Sequence, residues 1–266
     1  QPNAMGGREV GGLANMLACH LDIETPEHRD TVQEFWQSPK IAKQPGLKAV
    51  DMFQAISDGK IKALWVMCTN PAVSMPNASD VRKALEACEF VAVSDMFAST
   101  DTARLADVVF PATGWGEKDG TVTNSDRTIS RQRALVRAPG NARHDWTIIC
   151  EVAARMGFAN HFAYRNPAEI FREHAKLSGL AAKLGKDFDI SGLAALTNHE
   201  YDTLAPTRWP FPTEGTPKER MFADGKFTTP TGRANMLAVS QPEEETPFTA
   251  GTLRLNTGRA RDQWHT

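Results

Sequence analysis

Three apolar runs of strand length alternate with helical patterns in the first half of the chain. The runs lie at residues 61–67, 90–93 and 107–110. Apolar residues at helical spacing fill the intervals between them, at 78–88 and 100–106. Continuous apolar strands alternating with helices are typical of a parallel sheet covered on both faces. The pattern predicts an α/β fold: a parallel, Rossmann-like sheet with helices on both faces.

Helical patterns also flank this region. We predict helices at 26–37, 47–58 and 145–157, and one that begins at Pro167 behind an Asn166 cap. The spacing places Ile148, Ile149, Val152 and Met156 on the inner side of the 145–157 helix. Residues 128–137 are predicted to be extended, and the Gly-rich opening is assigned neither helix nor strand.

Proline-rich segments divide the rest of the chain. Residues 205–230 and 242–247 are rich in proline and read as loop or linker, so the C-terminal part is predicted to be irregular. We predict four parts: an entry segment and helix at 1–46, the α/β domain at 47–160, a helical and Pro-rich connection at 161–250, and the start of another domain at 251–266. Because both ends look cut, we expect a piece of a longer polypeptide.

Composition excludes several classes of protein. The 266 residues contain 30 Lys and Arg against 32 Asp and Glu, a net charge of −2, which argues against a nucleic-acid partner. No apolar run approaches the ~18 residues of a membrane helix, and the first residues of the sequence show no signal-peptide pattern. The four cysteines form no C-x-x-C pair, so the sequence lacks the cysteine spacing of an iron–sulfur cluster or zinc site. We expect a cytoplasmic protein without a membrane partner.

Polar residues follow each predicted strand. Asn70, before Pro71, can offer a ligand both a donor and an acceptor, although Asn there is also a common turn former. The carboxylate of Asp95 can accept two hydrogen bonds from guanine, and Ser94 could hold a ribose or a backbone amide. The alternative is that Asp95 caps the helix near Thr100.

A Gly-rich polar loop follows the third predicted strand. Its Lys118 could reach a diphosphate or a base carbonyl, with Glu117 pairing with it or orienting it; the alternative is a solvated loop charge. Asp145 begins a predicted helix, and capping of that helix would by itself explain an Asp at this position. A local surplus of arginines suggests phosphates or a docking face, or else a charged strand edge: Arg127, Arg131, Arg133, Arg137 and Arg143.

The stretch 106–127 reads ADVVFPATGWGEKDGTVTNSDR. It resembles the A-D-V-V-[LF]-P-A-x-x-W-x-E-K-x-G-x-x-x-N-[ST]-[DE]-R signature of the molybdopterin oxidoreductases. The opening QPNAMGGREVGG and the closing TGRARDQWHT are similar to the assimilatory nitrate reductases within that family. One departure is Thr128, where the family commonly has a second Arg.

The resemblance implies a role for this chain in holding a cofactor. The cofactor would be molybdenum bis-molybdopterin guanine dinucleotide, with the α/β domain at 47–160 binding its dinucleotide. The residues that match the family's binding positions are Asn70, Ser94, Asp95, Lys118, Asp145, Thr257, Gly258, Arg259, Trp264, His265 and Thr266. The chemistry implied is oxygen-atom transfer from nitrate, with electrons arriving from a donor through an iron–sulfur cluster.

The resemblance places the cluster and metal-ligand cysteines upstream of Gln1. We therefore assign no catalytic residue and no metal ligand to this chain, and expect it to be inactive and free of cofactor on its own. Two alternatives stay open: the same portion of a formate dehydrogenase or other molybdopterin reductase, and a non-catalytic α/β nucleotide-binding module.

Overall fold

A parallel three-stranded sheet organises the first half of the molecule. The computed structural model describes residues 3–217, 219–240, 250, 251 and 253. The strands are Ala63–Met67 (β1), Phe90–Asp95 (β2) and Val108–Pro111 (β3), in spatial order β1-β2-β3. Met67 lies opposite Ser94, and Asp95 opposite Pro111, so the carboxyl ends of the strands share one edge. The predicted α/β class and parallel sheet are confirmed.

Helices pack on one face of this sheet. They are Ala49–Ser57 (α3) and Ala78–Ala87 (α5), while the short Pro71–Ser74 (α4) leads from β1 towards α5. Their apolar sides and alternate strand residues form one core, the α/β core: Phe53, Ile56, Val66, Ala72, Val81, Ala84, Leu85, Val91, Val93 and Ala103. Since strand side chains alternate, Trp65 and Phe110 lie on the other face, with their ring centres 5.7 Å apart.

A second core joins segments that are distant in sequence. The helices around it are Ala4–Glu9 (α1), Pro26–Trp36 (α2), Pro167–Lys183 (α7) and Asn198–Asp202 (α8). This helical core includes Leu17, Cys19, Leu21, Val32, Ile129, Phe171, Ala175, Leu177, Ala181, Phe188, Ile190, Tyr201 and Trp209. Thus the entry segment packs with the region after residue 161. The four-part division of the chain stays a prediction.

The molecule also contains a three-stranded antiparallel sheet. It consists of Gly120–Thr123 (β4), Thr128–Gln132 (β5) and Thr207–Arg208 (β6), in that spatial order. We predicted β5, but β4 falls in a stretch that we assigned to a loop. After β5, a parallel bridge between Ala112 and Arg143 extends the β3 edge and leads into Asp145–Ala153 (α6).

The helix after Asp145 differs from its prediction. Regular α-helix ends at Ala153, and a π-helical turn follows over Ala154–Phe158. Gly157 has φ +94°, a conformation that interrupts a right-handed helix. Met156 is consequently 68% exposed, so its predicted inward position is wrong.

The chain divides into two units: Pro2–Pro217, and Gln1 with Lys218–Thr266. In the second unit, the rings of Phe222 and Phe227 stack with centres 5.0 Å apart. Within the part of the chain that the structure describes, no helix is both long enough and apolar enough to cross a membrane. The predicted site residues Thr257, Gly258, Arg259, Trp264, His265 and Thr266 lie outside the described residues.

Candidate functional site

The candidate site is the carboxyl edge of the parallel sheet. Cys68, directly after β1, has φ +60°, a left-handed conformation that is uncommon for a residue with a side chain. The chain then passes through Asn70 into α4. Asp95 ends the central strand, and its carbonyl accepts a hydrogen bond from the Ala112 N–H at 3.0 Å, just past β3. The loops after all three strands therefore begin side by side, where α/β sheets bind ligands.

Asn70 occupies the N-cap position of α4, but its side chain does not cap that helix. Its Oδ1 instead accepts hydrogen bonds from the backbone N–H of Thr102 at 3.2 Å and from the Thr102 hydroxyl at 2.6 Å. Among the described residues, no group accepts a hydrogen bond from Asn70 Nδ2. Asn70 thus keeps donor capacity at the edge.

Ser94 and Asp95 have different environments. Ser94 is buried on the face that carries Trp65, and its Oγ accepts a hydrogen bond from Trp65 Nε1 at 3.0 Å. Asp95 is partly exposed; its Oδ1 accepts from the Phe97 N–H at 3.0 Å and its Oδ2 from the Thr100 hydroxyl at 2.8 Å. Asp95 therefore organises its own loop. The Thr100 hydroxyl, and not Asp95, accepts the Ala103 N–H at 3.3 Å, so the alternative that Asp95 caps the helix near Thr100 is wrong. A second lone pair on each Asp95 oxygen remains available.

Lys118 and Asp145 form an ion pair with Nζ and Oδ2 2.7 Å apart, and their side chains are 30% and 22% exposed. Asp145 begins α6, where the helix dipole favours a negative charge. Glu117 does not pair with Lys118; its carboxylate accepts a hydrogen bond from the Gly114 N–H at 2.8 Å. The expectation of a Glu117–Lys118 pair is wrong, because the Glu117 carboxylate is hydrogen-bonded to the backbone of its own turn.

The ion pair also influences the end of β1. Desolvation raises the pKa of the Cys68 thiol; the Asp145 carboxylate adds to this rise, and Lys118 opposes it. The pKa of the Cys68 thiol thus responds to both charges of the ion pair. Asn70 and Asp95 thus follow β1 and end β2 at this edge, with Ser94 preceding Asp95, while the Lys118–Asp145 pair lies in the segments that follow β3.

The arginines after β4 are largely used within the protein. Arg131 is 2% exposed at its side chain, pairs with Asp119 at 2.8 Å and covers the ring of Tyr201 at 4.0 Å. Arg133 binds the carbonyl of Asp202, and Arg143 pairs with Glu151. Arg131 and Arg133 thus join β5 and the residue after it to Asp202, and Arg143 joins the segment before α6 to that helix. The burial of Arg131 departs from the charged strand edge of the alternative, and the expectation of phosphate contacts is not supported for these three arginines.

Sequence reasoning missed a buried polar cluster beside the helical core. Glu9, 3% exposed, accepts hydrogen bonds from Trp209 Nε1 at 2.6 Å and from the Thr123 hydroxyl at 2.8 Å. Desolvation raises the pKa of Glu9, and these two hydrogen bonds oppose the rise. The partners lie 114 and 200 residues away in sequence, so no local signal could reveal them. Among the described residues, no group of three or more His, Cys, Asp or Glu is arranged to hold a metal ion.

Comparison with known proteins shows which proteins the chain is similar to. Residues 3–155 match the family model described as molybdopterin oxidoreductase. Over its whole length, the chain is 50% identical to a nitrate reductase from Shewanella frigidimarina, of which it covers 29%. It is 48% identical to a nitrate reductase from Klebsiella oxytoca, of which it covers 30%. It is 32% identical to the F420-dependent formate dehydrogenase subunit alpha of Methanocaldococcus jannaschii, of which it covers 37%. The chain thus spans about a third of the length of these relatives.

A solved structure supports the fold alone. Acetylene hydratase from Pelobacter acetylenicus superposes with a TM-score of 0.52 at 20% identity. The superposition covers 79% of this chain and 28% of that one.

Proposed function

Because the chain belongs to the molybdopterin oxidoreductase family, we propose that the carboxyl edge of its parallel sheet binds the guanine dinucleotide end of a molybdenum bis-molybdopterin guanine dinucleotide cofactor. The observation that carries this proposal is the meeting of hydrogen-bond donors and acceptors at that edge. Asn70 Nδ2 keeps its donors, and Lys118 Nζ makes one ion pair among the described residues. Asp95 supplies acceptors at the end of β2.

The chemistry of these groups fits a guanine nucleotide. Asp95 would accept hydrogen bonds from the ring N–H and exocyclic amine of guanine. Asn70 and Lys118 would donate to phosphate or carbonyl oxygens. Ser94 retains a hydroxyl hydrogen, and Asp145 holds Lys118 in place. From the family resemblance we propose that residues 257–266, chiefly Thr257, Gly258, Arg259, Trp264, His265 and Thr266, also bind the cofactor.

We propose further that the full-length protein is a nitrate reductase. The relatives named nitrate reductase are up to 50% identical to this chain, against 32% for the formate dehydrogenase subunit. When bound, the metal would supply oxygen-atom transfer that converts nitrate to nitrite, with two electrons delivered from a donor through an iron–sulfur cluster. The contribution of this chain is to bind and orient the cofactor, and we expect the 266 residues alone to be inactive and the full-length protein to be cytoplasmic.

A calorimetric titration of the purified chain with guanosine diphosphate (GDP) tests the proposed site. We expect binding to the wild type and about 10- to 100-fold weaker binding to Asp95→Asn, because hydrogen bonds to a charged carboxylate are lost. Asp51→Asn, which changes an exposed carboxylate on α3, is the matched control and should bind as the wild type does. Titration with adenosine diphosphate shows whether the base is read.

Two results would contradict the proposal. One is the absence of GDP binding by a folded chain, and the other is equal affinity in the wild type and Asp95→Asn. The formate dehydrogenase alternative rests on the 32% match. It is distinguished by assaying the full-length protein for nitrite production from nitrate and for formate oxidation.

A further inference from the structure

We propose that Thr102 is a positioning residue for the site: it fixes the side-chain amide of Asn70 so that only its NH₂ group is offered to a ligand. The consequence for binding rests on the proposed function of the sheet edge, while the contact itself belongs to the protein alone. Thr102 is 0% exposed and lies in the loop between β2 and β3, 32 residues from Asn70.

The hydrogen bonds around Thr102 determine which way the amide faces. The backbone N–H of Thr102 can only donate, so the Asn70 atom 3.2 Å away must be the oxygen. The backbone N–H of Ala72 can also only donate, and it points at Thr102 Oγ1 from 3.1 Å. The single hydroxyl hydrogen of Thr102 is therefore free to reach Asn70 Oδ1 at 2.6 Å. Two donors on one oxygen exclude the flipped amide, an assignment that otherwise depends on the network.

This arrangement defines the chemistry that Asn70 can recognise. With Oδ1 saturated by Thr102, Asn70 presents two N–H donors and no acceptor. Its partner must then be an acceptor atom, such as a phosphate, carbonyl or ribose oxygen, rather than a base amine. Asp95, an acceptor at the end of the neighbouring strand, has the opposite preference. The two residues would thus read different parts of one nucleotide.

A double-mutant cycle with GDP as the probe tests the inference. We expect Thr102→Val to weaken GDP binding by about 3- to 10-fold, the worth of one hydrogen bond whose donor is no longer held in place. Thr102→Ser keeps the hydroxyl and should restore the wild-type affinity. In an Asn70→Ala background, Thr102→Val should cause no further loss, because there is no amide left to orient.

The outcomes separate this inference from the proposed function. If the wild type binds GDP, then equal binding by Thr102→Val, or the same loss with and without Asn70, overturns the role of Thr102 and leaves the site intact. If the wild type does not bind GDP, the proposed function fails. The ¹⁵N resonance of the Asn70 side-chain amide then tests whether Thr102 fixes this amide. We expect this resonance to shift in Thr102→Val and return in Thr102→Ser; an unchanged resonance in Thr102→Val overturns the inference. Circular dichroism verifies that each variant is folded.

Discussion

At the scale of single residues, His174 has the most unusual environment in the helical core. Its Nδ1 lies 3.7 Å from the sulfur of Cys19, and its ring centre is 5.2 Å from that of Phe188. Its Nε2 is buried and has no hydrogen-bond partner within the described residues. Desolvation, together with the smaller effect of the nearby His20, lowers the pKa of His174 to about 4. The folded state therefore holds His174 neutral.

This burial predicts a loss of stability in acid. Because the folded pKa lies below the ordinary 6.5, the unfolded chain gains a proton first as the pH falls. The His174 contribution is fully present above pH 6.5 and is lost between 6.5 and about 4, which amounts to about 3 kcal/mol of unfolding free energy. Urea titrations at pH 7 and pH 4.5 should show a smaller decrease for His174→Gln than for the wild type.

The comparison with His174→Gln isolates this histidine from its neighbours. Burial also lowers the pKa of His20, so its contribution to the unfolding free energy likewise decreases as the pH falls. The pKa of Glu9 is raised, so its contribution increases as the pH falls through its folded pKa. Both are unchanged in the variant. His161→Gln, at an exposed position, is the control and should follow the wild type. An equal decrease in His174→Gln and wild type would contradict the prediction.

Pairing between distant side chains is what single-residue reasoning could not foresee. Lys118 and Asp145 were each predicted as ligand contacts, yet they bind each other across 27 positions. The sequence could place both residues beside a strand or at a helix start. It could not show that the bridge at Arg143 would bring α6 next to β3, because a one-residue bridge leaves no apolar pattern.

At the scale of elements, long apolar patterns predicted well and short polar ones did not. The observed β1, β2 and β3 lie within about two residues of the predicted strands, since continuous apolar runs have few other uses. The strand β4 reads Gly-Thr-Val-Thr and was assigned to a loop. Its residues become a strand through pairing with β5 and through contact of Thr123 with Glu9 and Asn3. Tertiary contacts of this kind override local propensity.

The start of α7 offers a test of a predicted element. Asn166 was predicted as its cap, and Asn166 Oδ1 accepts a hydrogen bond from the Glu169 N–H at 3.1 Å. Replacing it by Ala should lower the unfolding free energy by about 1 kcal/mol, the usual worth of such a cap, in urea titrations. Thr25 holds the same position before α2 without a capping hydrogen bond, so Thr25→Ala is the matched control and should cost less. Equal losses would show that capping is not the cause.

At the scale of the whole molecule, the two cores are tied together within Pro2–Pro217. The helical core joins Leu21 to residues such as Leu177 and Trp209, and this long-range assembly could not be derived from local patterns. The α/β core, by contrast, is built from consecutive elements and was predictable. The antiparallel sheet contributes Ile129, in β5, to the helical core. The first strand of that sheet, β4, is the next strand along the chain after β3 of the parallel sheet. Such connections favour unfolding as one cooperative unit.

Matched cavity variants in the two cores can test this cooperativity. Leu21, 0% exposed, lies in the helical core and Leu85, 1% exposed, in the α/β core; replacing either by Ala should cost about 2–5 kcal/mol. Fluorotryptophan resonances of Trp209 and Trp65 report the two regions separately in ¹⁹F NMR during a urea titration. Because Pro2–Pro217 forms one unit, each variant should shift both resonances to the same lower midpoint. A Leu21→Ala variant that loses the folded Trp209 resonance first, while Trp65 keeps its wild-type midpoint, would show instead that the parallel sheet folds independently of the helical core.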